Sequence, residues 1–155
     1  MYINMSEGTF LAYDLSWETI RIDLMVMPLV TLLLLSIIPV CTTANIMLAN
    51  NICDVEKDIA VKRYTLPYYL GSKSIILFAA LYYMTYIAVI AMVLFGMLSP
   101  VCLLSLLTFF PVQKNINIFV KKQEKATTFM TAIKNYIIIM GTNTALIFIS
   151  SYLQI

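Results

Sequence analysis

Three polar side chains that could hold a metal ion lie four residues apart in the first half of the chain. They are Asn50, Asp54 and Asp58, and on a continuous helix this spacing places them along one stripe, each about 5 to 6 Å from the next. Two carboxylates this close repel each other, so both stay ionised at little cost only when a cation lies between them. Oxygen ligands without His or a Cys thiolate favour a hard cation such as Mg²⁺. The spacing therefore predicts Asp54 and Asp58 as ligands of Mg²⁺.

Basic side chains follow the two carboxylates closely. Magnesium usually keeps several waters and shares its remaining positions with substrate phosphates, and Lys57, Lys62 and Arg63 could bind the phosphate oxygens. Asn50 and Asn51 end a long uncharged run, where amide side chains are costly in hydrocarbon, so we expect them to face a cavity or a bundle interior. The segment thus predicts a Mg²⁺-bridged diphosphate site. Loops between membrane spans commonly carry the same mixture of charges, which leaves a purely structural loop as the alternative.

The composition excludes several other kinds of chemistry. Of the 155 residues, 61% are hydrophobic and 12% are charged, about half of the roughly 25% charged residues of a soluble domain. A net charge of +2 does not support an extended nucleic-acid surface, so no nucleic-acid partner is expected. The chain has no His, which excludes His general bases and His-ligated zinc within it. Its three cysteines lack CxxC spacing, which argues against a disulfide framework or a metal cluster.

Long uncharged runs predict the elements that position this site. Residues 24–53, 74–113 and 135–155 contain no charged side chain, and a spanning helix needs about 20 apolar residues. The middle run is long enough for two helices, which the GMLSP sequence at 96–100 separates. We therefore expect an all-α membrane protein with about four transmembrane helices in a single domain, residues 1–155. The predicted spans are about 24–48, 73–97, 100–120 with a kink at Pro111, and 132–152, with a loop at 50–72.

The basic residues predict how these spans are oriented. On four antiparallel spans, Arg21 lies on one side of the membrane and nine basic residues lie on the other. The positive-inside rule then makes the loops 50–72 and 113–134 cytoplasmic and places the N-terminus outside. A multi-pass protein of the cell membrane is therefore expected, with the lipid bilayer as its surroundings. The nine residues are Lys57, Lys62, Arg63, Lys73, Lys114, Lys121, Lys122, Lys125 and Lys134.

The segment LANNICDVEKDIAVKRYTLPYYLG at 48–71 resembles the second aspartate motif of the UbiA-type intramembrane prenyltransferases. Within that family it is most similar to the 1,4-dihydroxy-2-naphthoate polyprenyltransferase branch of menaquinone biosynthesis. The sequences FLAYDLSWETI, PVQKNINIFV and FMTAIKNYIII occur in the same order as in that branch. The resemblance covers essentially the whole chain and corresponds to the C-terminal half of a family member. It implies half of a UbiA-type helical bundle, a truncated domain whose missing N-terminal half would be a partner.

The resemblance also implies roles for individual residues. Asp54 and Asp58 would hold Mg²⁺ against the diphosphate of an isoprenyl diphosphate, and Lys62 and Arg63 would assist its departure. Stabilising the leaving group in this way is what such chemistry requires, because negative charge develops there as the allylic diphosphate ionises. Catalytic roles are thus expected for Asp54, Asp58, Lys62 and Arg63, and substrate-binding roles for Asn50, Asn51, Lys57 and Tyr64.

The function implied is Mg²⁺-dependent transfer of a polyprenyl group from a polyprenyl diphosphate to an aromatic acceptor, 1,4-dihydroxy-2-naphthoate in the branch that the chain resembles. The alternative is a non-catalytic, truncated membrane protein whose acidic loop binds a divalent cation or a lipid head group. The two differ in whether the carboxylate pair serves chemistry or only binding.

Overall fold

The computed structural model describes residues 11–15 and 20–153. Strands β1 (Leu11–Leu15) and β2 (Ile20–Leu24) form an antiparallel hairpin in which Leu11 pairs with Leu24. The expectation that the N-terminus lies outside the membrane falls on residues 1–10, which are outside the described residues.

Helices and their connections make up residues 25–153, where no strand occurs. Four segments are long and apolar enough to cross a membrane, which confirms the all-α membrane fold with four transmembrane helices. They are Val26–Cys53, Lys73–Leu94, Pro100–Lys121 and Met130–Leu153. In chain order the elements are α1 (Val26–Cys53), α2 (Val55–Ala60), α3 (Leu66–Leu70), α4 (Lys73–Leu94), a 3₁₀ helix (Pro100–Thr108), α5 (Phe109–Lys121) and α6 (Met130–Leu153).

Helix α1 is longer than predicted, and this corrects the expected loop at 50–72. The helix continues to Cys53 because no Gly or Pro interrupts residues 48–53. Its 28 residues make it about 42 Å long, against a hydrocarbon core of about 30 Å. The last turns, which carry Asn50 and Asn51, can therefore extend beyond the hydrocarbon while remaining helical. The rest of the expected loop contains the short helices α2 and α3.

The break between the second and third spans lies where the sequence predicts it. Helix α4 ends in a Schellman closure, in which the Gly96 N–H donates to the Val93 carbonyl at 3.0 Å and the Met97 N–H donates to the Met92 carbonyl at 2.8 Å. This closure needs a left-handed residue, and Gly96 provides it with φ of 70°. The next helix then begins at Pro100, capped by the Ser99 hydroxyl, which accepts from the Val101 N–H at 3.2 Å.

The third span combines two kinds of helix. The 3₁₀ helix of nine residues has a greater rise per residue than the α5 helix of 13 residues. Together they are about 37 Å long, enough to cross the membrane. The change in helical geometry lies between Thr108 and Phe109, two residues before the predicted kink. Pro111 is the third residue of α5, where a backbone N–H has no partner within an α-helix, so the helix continues through it.

Aromatic side chains pack in the interior of the bundle. Phe78 and Tyr82 of α4 and Phe119 of α5 are fully buried. The ring of Phe78 lies edge-on to Tyr82 at 5.2 Å and 4.4 Å from the ring of Phe119. Such pairs contribute about 0.5 to 1.5 kcal/mol beyond the area they bury. The packing fixes α5 against α4 near the end of the bundle where the α5–α6 connection begins.

Buried amides join the helices in pairs. Asn45 of α1 donates to the Phe78 carbonyl of α4 at 3.0 Å. Asn135 of α6 accepts from Asn115 of α5 at 2.7 Å and donates to the Val112 carbonyl at 3.5 Å. Because lipid offers no hydrogen-bonding groups, a polar side chain within a bundle is stabilised by a neighbouring helix. These contacts determine which helices are neighbours as well as how they are rotated.

We predict that Asn135→Ala lowers the free energy of unfolding by about 1 kcal/mol, in the upper part of the range for hydrogen bonds between membrane helices. The variant removes two contacts and leaves the Asn115 amide without its acceptor. Unfolding in mixed micelles measures the change. Asn117→Ala is the matched control, because Asn117 is exposed on α5 and its side-chain oxygen accepts from Gln113 of the same helix. An equal loss in both variants would contradict the role of Asn135 in joining two helices.

Candidate functional site

Asp54 lies at the joint between α1 and α2. Its backbone is not helical, with φ of −105° and ψ of 5°. Helical hydrogen bonding nevertheless continues across it, since the Asp54 N–H donates to the Asn50 carbonyl at 3.1 Å and the Asp54 carbonyl accepts from the Asp58 N–H at 2.8 Å. The predicted i, i+4 relation of Asn50, Asp54 and Asp58 is therefore kept by the backbone, although the helix that carries these residues is interrupted.

Asp58 is largely buried, and its carboxylate has two partners. The Arg63 guanidinium lies 3.8 Å from Oδ1 of Asp58, and the Thr65 hydroxyl donates to Oδ2 at 3.5 Å. The side chain of Asp58 is 12% exposed, against 64% for that of Arg63. The carboxylate is thus held in place by groups that follow it in the chain, while most of the guanidinium faces solvent and can reach a second anion.

The turn that brings Arg63 back to Asp58 contains an unusual backbone conformation. The Lys62 N–H donates to the Ile59 carbonyl at 2.9 Å and the Arg63 N–H donates to the Asp58 carbonyl at 2.8 Å. This is the Schellman closure seen at the end of α4, but Lys62 occupies the left-handed position with φ of 58°. A side chain there costs about 1 to 2 kcal/mol relative to ordinary helical geometry. Strained backbone conformations of this kind are concentrated at functional sites.

Lys125 completes the site, and sequence reasoning missed it. It lies in the connection between α5 and α6, and its ammonium contacts Oδ2 of Asp54. The two residues are 71 positions apart, so no local spacing links them. The only signal in the sequence is the cluster of basic residues predicted on the same side of the membrane. The contact shows that the α1–α4 and α5–α6 connections lie at the same end of the bundle.

Hydrogen bonds hold the α5–α6 connection in one shape. The Glu124 carbonyl accepts from the Thr128 N–H at 2.9 Å, and the Glu124 N–H donates to the Thr128 hydroxyl at 2.8 Å. Lys122 pairs with the Glu124 carboxylate at 2.7 Å. Hydrogen bonds from Lys122 and Thr127 hold the pKa of Glu124 below its usual value, so this carboxylate is ionised at neutral pH.

The remaining predicted site residues lie on the same segment of the chain as the two carboxylates. Asn50 and Asn51 are partly exposed in the last turn of α1, and Lys57 is exposed on α2. Tyr64 is half exposed after the turn, with its ring 4.9 Å from that of Tyr68. All four lie on the segment that carries Asp54 and Asp58, where they could contact a ligand bound at the end of the bundle.

The donor set suits a hard divalent cation shared with a ligand. Asp54 and Asp58 offer carboxylate oxygens, and within residues 11–15 and 20–153 no third His, Cys, Asp or Glu joins them to form a larger cluster. Magnesium is commonly bound by one or two carboxylates, with waters and phosphate oxygens filling the other positions. Arg63 and Lys125 contact the pair, and Lys62 is next to Arg63 in the chain; these positive charges would favour a ligand that is itself strongly negative.

The chain matches one family of known proteins over most of its length. The model of the UbiA prenyltransferase family matches residues 10–138 of the chain. The matched range includes Asp54 and Asp58 together with Lys62, Arg63 and Lys125. No curated protein and no solved structure matches the chain.

We predict that glycine, compared with alanine, raises the free energy of unfolding at Lys62 and lowers it at Lys57. Lys62→Gly should be more stable than Lys62→Ala by about 0.5 to 1 kcal/mol, because glycine adopts positive φ without strain. Lys57→Gly should be less stable than Lys57→Ala by about 1 kcal/mol, because Lys57 lies within α2. Unfolding in micelles measures all four variants, and a shared sign at both positions would contradict the strain assigned to Lys62.

Proposed function

The chain belongs to the UbiA prenyltransferase family, and from this we propose that it transfers a polyprenyl group from a polyprenyl diphosphate to an aromatic acceptor. Family membership implies prenyl transfer in general. The observation that carries the proposal is the Asp54 and Asp58 pair at the end of a membrane helix, with the basic side chains of Arg63 and Lys125 in contact with it. A carboxylate pair surrounded by cations fits a metal-bound diphosphate better than it fits a neutral ligand.

We propose that Mg²⁺ is the cofactor and that Asp54 and Asp58 hold it. Bound there, the ion would neutralise the negative charge of the diphosphate leaving group. Arg63 presents an exposed guanidinium beside Asp58 and would bind phosphate oxygens directly, in the bidentate manner for which its geometry is suited. Lys62, on the strained turn, is exposed and would add a second positive charge.

The reaction requires one bond to break and one to form. The bond between the first prenyl carbon and the diphosphate oxygen breaks, and its electron pair stays with the diphosphate. The resulting allylic cation accepts an electron pair from an electron-rich ring carbon, which forms the new carbon–carbon bond. The ring regains aromaticity by losing a proton or, for 1,4-dihydroxy-2-naphthoate, its carboxylate as carbon dioxide. We propose this naphthoate as the acceptor because the motif resembles that branch of the family. The proposed pathway is therefore menaquinone biosynthesis.

We propose that the protein is embedded in the cell membrane and that its site faces the cytoplasm. The contact between Asp54 and Lys125 places the α1–α4 and α5–α6 connections at one end of the bundle. These connections and the adjoining ends of the helices carry most of the basic residues of the chain. The positive-inside rule therefore supports a cytoplasmic position for this end.

We further propose that helices outside this sequence complete the site. The family resemblance implies a second aspartate-rich motif on the N-terminal half of the bundle, and the part of the chain that the structure describes places one carboxylate pair at this end. A second pair would raise the number of oxygen ligands and would close the other side of the prenyl chain.

We predict that Asp54→Asn and Asp58→Asn each weaken Mg²⁺-dependent binding of a polyprenyl diphosphate by more than tenfold, because each removes a metal ligand. Binding of radiolabelled geranylgeranyl diphosphate to membranes, measured across Mg²⁺ concentrations, tests this. Glu56→Gln is the matched control, since Glu56 is an exposed acid of α2 between the two. Unchanged affinity in both Asp variants would overturn the metal site.

We also predict that prenylated product forms when this chain is co-expressed with the N-terminal half of a full-length family member. Membranes receive Mg²⁺, radiolabelled polyprenyl diphosphate and 1,4-dihydroxy-2-naphthoate, and product is measured by extraction. Product from the chain alone would contradict the need for further helices. A lack of product from the co-expressed halves, with both present in the membrane, would favour a non-catalytic protein that binds a cation or a lipid head group.

A further inference from the structure

The position of Lys125 indicates a role that goes beyond holding two connections together. Its ammonium contacts an oxygen of Asp54, a residue proposed to bind the metal. The Asp54 side chain is only 13% exposed, whereas that of Lys125 is 49% exposed. A cation thus already occupies one oxygen of a metal-binding carboxylate, and it reaches that oxygen from the solvent side.

The backbone of Lys125 is fixed while its side chain can move. The hydrogen bonds between Glu124 and Thr128 hold the connection on either side of Lys125. Beyond this anchor, four flexible carbons carry the ammonium, which can donate three hydrogen bonds in several directions. Lys125 can therefore leave Asp54 and contact another acceptor nearby without any change in the fold.

The neighbouring lysine has a different partner. Lys122 is paired with Glu124 in the same connection, and this pair stabilises the shape of the connection. Lys125 instead crosses to another segment and contacts a residue of the aspartate motif. The two lysines are three residues apart, but only Lys125 is directed at the site.

We propose that Lys125 is a further diphosphate-binding residue, held by Asp54 until the substrate arrives. This inference rests on the proposed function and assigns a new residue to it. When a diphosphate and its metal ion occupy the carboxylates, the ammonium loses its place on Asp54 and lies next to phosphate oxygens. Those oxygens are strong acceptors, and a charge-assisted hydrogen bond to them replaces the lost ion pair. In the absence of substrate, Lys125 balances the charge of Asp54 and competes with the metal ion for it.

A purely structural ion pair would behave differently. If Lys125 only held Asp54 in position, its removal would disorder the carboxylate and weaken the binding of both the metal ion and the diphosphate. If Lys125 first competes with the metal ion and then binds the substrate, its removal changes the two affinities in opposite directions. Two binding measurements on the same variants therefore separate these roles.

The experiment uses the full chain in micelles and in membranes. Binding of Mn²⁺ alone, followed by its electron paramagnetic resonance signal, should tighten at least threefold in Lys125→Gln. Binding of radiolabelled geranylgeranyl diphosphate at saturating Mg²⁺ should weaken about tenfold, as expected for the loss of about 1.4 kcal/mol of contact with the ligand. Lys125→Arg keeps the positive charge and should bind the diphosphate within about threefold of the unsubstituted chain.

Lys121→Gln is the matched control. It removes the same charge at the end of α5, where Lys121 is exposed, and should change both affinities less than about twofold because exposed charges are screened by salt. Thermal unfolding of each variant verifies that the fold is intact.

Each outcome decides between the possible roles. Opposite shifts in Lys125→Gln support the proposal. Two weakened affinities, two tightened affinities or two unchanged ones overturn it, even when the unsubstituted chain binds the diphosphate with Mg²⁺. If the unsubstituted chain shows no Mg²⁺-dependent binding either alone or co-expressed with the N-terminal half of a family member, the proposed function fails and the inference fails with it. The failure of the inference alone is therefore distinguishable from the failure of the function.

Discussion

Two carboxylates nearly buried at the end of an apolar helix bundle are the constraint on which the site depends. The side chains of Asp54 and Asp58 are 13% and 12% exposed, and ionised groups with so little solvent require opposite charges nearby. The chain supplies these charges from two sources. Arg63 reaches Asp58 through a local turn, and Lys125 reaches Asp54 from the α5–α6 connection at the same end of the bundle. The proposed binding of a charged ligand would require these ion pairs to exchange partners.

The backbone around this cluster shows where geometry is adapted to the site. Helices α2 and α4 end in the same Schellman closure, but α4 uses Gly96 and α2 uses Lys62 at the left-handed position. Glycine would relieve the strain at Lys62, so the lysine costs stability at this position. The closure also returns the Arg63 backbone to Asp58, which makes the ion pair a consequence of the turn.

Within the membrane, a few buried amides decide how the helices are paired. Lipid-facing and core positions are both apolar in this chain, so hydrophobic burial distinguishes them poorly. Asn45, Asn115 and Asn135 mark the positions that face another helix, because each side chain needs a hydrogen-bond partner that lipid cannot offer. These contacts join α1 to α4 and α5 to α6. The two pairs meet where the Phe78 ring packs against Phe119 and the Tyr82 hydroxyl donates to the Ala132 carbonyl, and this packing positions Lys125 relative to Asp54.

The sequence by itself determined the four spans, the break at Gly96–Pro100 and the four-residue spacing of the aspartate motif. Uncharged runs and turn residues act locally, and hydrogen bonding within a helix preserves i, i+4 relations whatever the rest of the chain does. It did not determine that α1 continues to Cys53, that the third span begins as a 3₁₀ helix, or that residues 11–15 pair with residues 20–24. Helix ends and helix type depend on small differences in free energy that packing overrides. Only the tertiary structure decided that Lys125 contacts Asp54, because a contact between residues so distant in the chain is set by how whole helices pack and not by any local pattern.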